Sequence, residues 1–405
     1  MNILYISYDG LMEPLGQSQI LQYLRLLARD HRIILLTYEK TEDLSNVSRC
    51  RTFSMELSTA GIEWIPLRYH KAPSLPATAY DMAVGLAVCI YLALRRRIEI
   101  VHARSYTPSL LALPIKLLFG SRFIFDMRSF WPDQRADSGM WPRTGLAYRL
   151  TKWFERRFLR HADVIISLTR AGVEVLRANP YLQDKPPSIE VIPTCTNLEL
   201  FRPADGRVGG NRGSQPFTLG YVGNMGPWYL LDQMIECFRI LRRMRPDAKF
   251  RIVNLKAHSL IRERFEAAGI PEGAYELKAV GYDQIPTEMG TLDAGILFLK
   301  AFPSSKGMAP TKVGEFLACG VPCLANTGIG DLDELLEGES VGIIVREFSE
   351  NAMSASLERL LELAADPDTQ HRCVNAACRH FSLEDGTARL DRIYRSLAGK
   401  GDDTR

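Results

Sequence analysis

The chain has little of what would point to a metal site, a membrane span or a nucleic-acid partner. Its 405 residues include eight cysteines. None forms a CxxC pair with histidines at ligand spacing, so a zinc site is not expected. The formal net charge is only +3, too small to argue for nucleic acid. The longest apolar run, MAVGLAVCIYLAL (82–94), is thirteen residues, against about twenty for a bilayer crossing. No span is therefore expected. The opening MNILYISYDG reads as a strand and not as a leader. Scattered, mostly apolar-flanked cysteines without a leader suggest reduced core thiols in a cytoplasmic protein. No short-period repeat is present.

What is there is alternation. Short apolar runs at 2–7, 32–37, 62–66, 98–102, 122–126, 163–167 and 189–193 read as buried strands. Helical spacing recurs between them, at 18–29, 46–60, 78–97, 107–119, 142–161 and 169–178. Strands interleaved with helices predict a doubly wound parallel sheet. The stretch RPADGRVGGNRGSQP (202–216) then brings four glycines and two prolines, the composition of a linker or exposed loop. After it the pattern restarts. Strands are expected at 217–223, 249–254, 276–280, 293–298, 322–325 and 341–345, and helices at 228–245, 258–268, 310–319, 331–337 and 349–365. The expectation is two Rossmann-like α/β domains, 1–204 and 205–382, facing a cleft. A last helix over 383–400 would follow them.

In such sheets ligands bind at the carboxyl ends of strands, so those loops carry the functional argument. After the first strand, Gly16 and Gln17 come where a helix begins, with Ser18 as a candidate cap. A helix start with a glycine favours an anion; the other reading is a flexible loop. Arg104 follows the fourth strand. The next loop, DMRSFWPDQ, crowds Asp126, Arg128, Trp131 and Asp133 together. The aspartate can accept from a sugar hydroxyl or act as a base, the arginine can hold a phosphate or carboxylate, and the tryptophan can face a sugar ring. An Asp–Arg pair that locks the loop above a core tryptophan explains the same residues. His102 is open between core and site.

The second half begins with GYVGNMGPWY. Its glycines are spaced GxxGxxG, and no acid follows the next strand, so it fails the dinucleotide fingerprint. A turn at Gly223 and Asn224 that admits a phosphate or sugar fits better. Further on, SSKGMAPTKVGEFLACG places Lys306 before a helix, Pro310 or Thr311 at its start, with Thr311 able to cap, and Lys312 in its first turn. A lysine opposes the helix dipole there, so a bound anion would account for it. Glu315, three residues on, can accept both hydroxyls of a ribose. A simple Lys–Glu surface pair is the alternative.

PTKVGEFLACGVPCLAN, with DAGILF before it and TGIGDLDELLE after it, resembles the donor-nucleotide segment of family 4 glycosyltransferases of GT-B architecture. The DMRSFWPD loop, SLTRAGVEVL, VIPTCTNLELF and FSLEDGTARLDRIY extend the resemblance over most of the chain. The chain resembles the branch of bacterial enzymes that build surface polysaccharides. The resemblance implies retaining, metal-independent transfer, without a cofactor, from a nucleoside-diphosphate sugar to a glycan or lipid-linked acceptor, and a tail helix returning to the first domain. It implies donor roles for Glu315, Gly16 and Gly223. Asn224, Lys306, Thr311 and Lys312 complete the expected donor set; Asp126 and Arg128 are the catalytic candidates, and Gln17, Arg104 and Trp131 the acceptor candidates. Two departures stand out. The family's Glu-x7-Glu motif would put an acid at 307, where this chain has Gly307, and the basic pair usual after the second domain's first strand is missing from NMGPWYL. The histidine usual at the Arg128 position is missing too.

Gly307 keeps open a non-catalytic nucleotide-binding relative or partner subunit, and a sugar-nucleotide epimerase shares the architecture. The DxD at Asp331–Asp333 reads as helix-start acids rather than a metal site. Residues 143–160 hold six Lys/Arg against one Glu, with Trp153, Phe154 and Phe158 interleaved. This stretch reads either as a peripheral contact with an anionic membrane face or as a solvated helix with a core stripe.

Overall fold

The computed structural model describes residues 1–182, 186–204 and 216–399. The chain divides into two compact units. One is Met1–Pro193 together with the segment from Leu383; the other is Thr194–Ser382. The linker expected over 202–216 lies mostly outside the described residues, and the first unit ends at Pro193, ahead of it.

The first unit is a seven-stranded sheet in the order β3-β2-β1-β4-β5-β6-β7. Its strands are β1 (Asn2–Ser7), β2 (Arg32–Glu39), β3 (Ile62–Arg68), β4 (Ile100–Arg104), β5 (Arg122–Met127), β6 (Val164–Ser167) and β7 (Ser188–Val191). Every pairing is parallel. Central parallel strands are covered on both faces, which is why β2 reads RIILLTYE with all but its first residue buried. The period of two sorts the faces. Leu4 and Ile6, Val101 and Ala103, Phe123 and Phe125 join one core with Cys89, Leu111, Ile115 and Phe158. The alternate residues, Tyr5 and Ser7, His102 and Arg104, and Asp126, point the other way.

The helix Leu383–Gly399 belongs to this unit. His31 and Asp391 pair at 2.6 Å, and the Tyr394 hydroxyl meets His102 Nδ1 at 2.7 Å. The helix Ser74–Arg95 is longer than the apolar run that marked it. Its segment Pro76–Arg95 is long and apolar enough, by length and composition, to cross a membrane. The thirteen-residue count had stopped at Asp81. In this fold Asp81 is buried, accepting from Tyr8 at 3.1 Å and from the His70 amide at 3.0 Å.

The second unit is a six-stranded parallel sheet, β10-β9-β8-β11-β12-β13. Its strands are β8 (Thr218–Val222), β9 (Lys249–Val253), β10 (Tyr275–Lys278), β11 (Ala294–Leu297), β12 (Cys323–Asn326) and β13 (Gly342–Val345). The core holds Tyr221, Phe238, Phe250, Ile296, Phe316 and Leu324. The helix Thr369–Phe381 was not expected from the sequence. Its buried face is made of small residues, Cys373, Ala376 and Ala377, ending in Phe381. Gly314 lies close to its end: a Cβ there would come within 2.8 Å of the Phe381 ring.

Both sheets have the doubly wound order. The chain winds outward from β1 to β3, then returns to start β4 on the other side of β1; β8 and β11 repeat the pattern. Such a switch leaves a crevice beyond the carboxyl ends of the two central strands. The eight cysteines are free thiols; six are buried, Cys50 is half-buried and Cys378 exposed.

Candidate functional site

Each unit gathers polar side chains at its switch point. In the second unit β8 runs into Gly223, whose φ is +126°. Its amide donates to the Val253 carbonyl at 2.8 Å, and the buried Asn254 amide donates to its carbonyl at 2.8 Å. Directly above it lies Lys312, 89 positions along the chain (312 − 223). A Cβ on Gly223 would stand 2.2 Å from Lys312 Cε. The lysine thus supplies a cation to the loop that lacks its own.

Lys312 Nζ donates to Tyr229 Oη at 2.8 Å and lies 4.6 Å from the Tyr229 ring centre. The Tyr221 ring, 5.7 Å away, forms the other side. Neither tyrosine was singled out from sequence, where each passes for core. Asn224 is exposed, and its carbonyl accepts from Tyr221 Oη at 2.7 Å.

Thr311 does not cap. It is the first residue of the helix Thr311–Ala318; the cap position is Pro310, which has no side-chain acceptor. The first amides of the helix therefore keep their capacity to donate. Glu315 is only 9% exposed. Burial pushes its carboxyl up to about 7, against the pull of Lys312. Among the described residues it has no ion pair with Lys312, so the surface-pair reading fails. Lys306 is exposed, in the turn Pro303–Gly307, and Gly307 is buried.

In the first unit the β1 loop folds back on itself. Glu39, fully buried at the end of β2, accepts from the Leu11 amide at 2.7 Å, the Met12 amide at 3.2 Å and Thr37 at 2.6 Å. Burial still raises its carboxyl above the ordinary range. Gly16 packs under this loop: a Cβ would fall 2.2 Å from the Gly10 carbonyl oxygen. The helical turn starts at Pro14, before Gly16, and continues through a π segment at Gln17–Leu21. Ser18 is consequently inside it and not a cap; its hydroxyl donates to the Leu15 carbonyl at 3.4 Å. The Gln17 amide reaches only the Met12 carbonyl, at 3.4 Å.

Register places Ser7 opposite Arg104, and Arg104 opposite Asp126. Around Asp126 stand Arg128 at 3.4 Å, His102 at 3.6 Å and Arg104 at 3.9 Å. Burial alone would raise the Asp126 carboxyl; Arg128, then His102 and Arg104, overcome it and hold it at about 2. Burial lowers His102, so the imidazole is neutral. Gln19, missed from sequence, accepts from Arg128 at 3.3 Å. Trp131 is taken up otherwise: Trp141 and Tyr106 pack against it at 5.1 and 5.9 Å, and the Arg135 guanidinium covers it at 5.2 Å. Asp133 is likewise spent, on Tyr148 at 2.8 Å and Lys152 at 2.9 Å. No cluster of three or more His, Cys, Asp or Glu suited to a metal occurs among the described residues. Asp333 accepts from Thr327 at 2.8 Å and the Gly328 amide at 3.3 Å, fastening its own loop.

Comparison with known proteins fits this division. Residues 17–195 match the glycosyl transferase 4-like domain, and residues 207–380 match glycosyl transferases group 1. The chain belongs to the family 4-like glycosyltransferases of GT-B architecture. This glycosyltransferase is 24% identical over 273 residues to a D-inositol 3-phosphate glycosyltransferase of Streptomyces scabiei, covering 59% of the chain and 55% of that relative. The chain thus spans about half the length of the curated relative it matches. Among solved structures it resembles sucrose-phosphate synthase of Thermosynechococcus elongatus (TM-score 0.73, 14% identity, 99% of this chain and 100% of that one). It also resembles Anabaena HepE in complex with UDP and glucose (TM-score 0.68, 14% identity, 98% and 100%). At that identity the two structures speak for the fold alone.

Proposed function

We propose that this glycosyltransferase moves a sugar from a nucleoside-diphosphate donor, held by the second unit, to an acceptor held by the first, with retention at the anomeric carbon and without a metal or other cofactor. The observation that carries the donor half is the meeting of Gly223, Lys312 and Glu315. An uncapped helix start and a lysine over a glycine turn suit a diphosphate. A buried carboxyl without a hydrogen-bond or ion-pair partner among the described residues, one turn on, suits the two ribose hydroxyls. HepE, a fold neighbour, is described with UDP and with glucose, which favours a UDP-sugar.

In this reading the C1–oxygen bond to the diphosphate breaks with its electron pair on the leaving phosphate. The acceptor oxygen forms its bond to C1 on the same face, and its proton passes to a leaving-phosphate oxygen. Lys312 and the helix amides take the charge that develops. Asp126 is a poor base for this step, because a carboxyl held at about 2 has little affinity for a hydroxyl proton. Its role is to anchor the arginines.

The acceptor side favours a lipid-linked glycan, as in bacterial surface-polysaccharide synthesis, at the cytoplasmic membrane face. What supports this is the helix Leu146–His161. It buries Glu155, Phe158 and Leu159 and exposes Leu146, Leu150 and Trp153, at 80, 51 and 48%. Arg143, Arg149, Arg156, Arg157 and Arg160 lie in the same stretch. An apolar stripe flanked by cations suits an anionic bilayer surface.

The test is UDP binding by calorimetry. Glu315→Ala should raise the Kd at least tenfold, about 1.4 kcal/mol. Unchanged affinity would remove the ribose assignment, and no UDP binding by the unaltered protein would remove the donor reading.

A further inference from the structure

We infer that Arg104 and Arg128 form a phosphate-binding site in the first unit, and hence that the acceptor is a phosphate-bearing molecule. The second half of this inference rests on the transferase reading above; the site itself does not.

Arg104 is 5% exposed, and among the described residues its Nε and Nη1 are buried without a hydrogen-bond partner. The carboxylates nearest it, Asp9 at 3.7 Å and Asp126 at 3.9 Å, stand beyond hydrogen-bond length. Asp9 is half-exposed, and Asp126 is shared with Arg128 at 3.4 Å. Two guanidiniums therefore depend on one buried carboxylate. An arginine left this way in a protein interior is costly, and a ligand that completes it removes the cost.

The other unsatisfied atoms in the cluster say what that ligand is. Gln19 Nε2 is buried without a partner among the described residues, while its oxygen is taken by Arg128. His102 Nε2 is also buried without a hydrogen-bond partner among the described residues, standing 3.6 Å from Asp126 Oδ2. Its Nδ1 meets the Tyr394 hydroxyl at 2.7 Å. Burial raises that hydroxyl's pKa and keeps it protonated. Among the described residues it has no other acceptor, so it donates to Nδ1 and leaves the proton on Nε2. The open buried nitrogens, Arg104 Nε and Nη1, Gln19 Nε2 and His102 Nε2, are all donors, and Asp126 Oδ2 stands 3.9 Å from Arg104 Nη1 and 3.6 Å from His102 Nε2. The ligand must be an acceptor, and two arginines ask for an anion. Donors arriving from β4, the end of β5 and a helix suit the tetrahedral oxygens of a phosphate better than a flat carboxylate. The place also fits, since β1 and β4 flank the switch point.

The experiment titrates inorganic phosphate into the full chain saturated with UDP. In parallel, Lys312→Ala protein receives phosphate without UDP, so that binding at the second unit is separated. One equivalent should bind, and Arg104→Gln and Arg128→Gln should each weaken it at least tenfold while UDP affinity stays as it was. Without phosphate, Arg104→Gln should melt at or above the original Tm, because an under-compensated buried cation is gone. A lower Tm with phosphate affinity intact would make Arg104 structural and overturn the proposal. So would phosphate binding that Lys312→Ala abolishes and the arginine variants spare. If UDP fails to bind but the Lys312→Ala titration still depends on Arg104, the site stands and the donor reading falls. A hexose 6-phosphate and a short prenyl phosphate, each competing against phosphate, distinguish a soluble from a lipid-linked source. If hexose alone binds as well as its phosphate, the phosphate-bearing acceptor is refuted.

Discussion

Gly223→Ala tests the donor site from the side of the backbone. The native φ of +126° lies where a residue with a Cβ costs about 1–3 kcal/mol. The added methyl would stand 2.2 Å from Lys312 Cε and 2.8 Å from Nζ. The lysine end is flexible, so it yields rather than the sheet. It then loses its bond to Tyr229 and its place over the ring, about 1 kcal/mol more. The total, about 2–4 kcal/mol, should lower the melting temperature by several degrees. Displacement of the ammonium should also weaken UDP by at least tenfold in calorimetry. Gly226→Ala is the internal control, since nothing lies within 4 Å of its Cβ position. A double-mutant cycle sharpens the point. If the lost affinity comes from the displaced lysine, adding Gly223→Ala to Lys312→Ala should cost little further affinity. Gly223→Ala with undiminished UDP binding, or additive losses in the cycle, would refute the reasoning.

Glu315 should make both stability and donor binding depend on pH. Its carboxyl is raised from 4.5 to about 7 in the folded protein, so the folded state holds the extra proton between those values. Stability from this group is full below pH 4.5 and is lost as pH rises through 7, by up to about 3 kcal/mol. Glu315→Gln should flatten that slope in denaturant titrations, and UDP affinity should rise with pH toward 7 in the native protein only. Tyr394→Phe removes the hydroxyl from His102 Nδ1 and leaves a buried acceptor unpaired. It should cost about 1–3 kcal/mol and change the His102 tautomer, seen as a shift of its ring nitrogen resonances; an unchanged ring spectrum would show that Tyr394 does not set the tautomer.

The central strands were legible because each is short, apolar and bounded, and central parallel strands need cover on both faces; the edge strands Ser188–Val191 and Tyr275–Lys278 are less apolar. The helix Thr369–Phe381 was not, although Cys373, Ala376, Ala377 and Phe381 have helical spacing. Small side chains give that pattern little weight. In the site, Gly223, Lys312 and Glu315 could be named from residue type and position. Their meeting could not, because Tyr229 and Lys312 are joined only by the fold. Thr311 was misread as a cap since a hydroxyl beside a proline looks like one; the backbone puts Pro310 there instead. Trp131 was misread as an open platform because the sequence does not show that Tyr106, Trp141 and Arg135 already surround it. Gln19, Glu39 and Tyr394 were invisible as site residues for the same reason: each acts through a partner far along the chain.

The helix Leu383–Gly399 lends Asp391 and Tyr394 to a unit whose strands all precede residue 192. During synthesis this helix leaves the ribosome after the whole second unit. Until then His31 lacks its carboxylate and His102 its hydroxyl, so a nascent chain has the first sheet but not its ordered switch-point end. Assembly of that end thus waits on synthesis of this helix, and a product terminated before Leu383 would retain the second unit beside an unfinished first one.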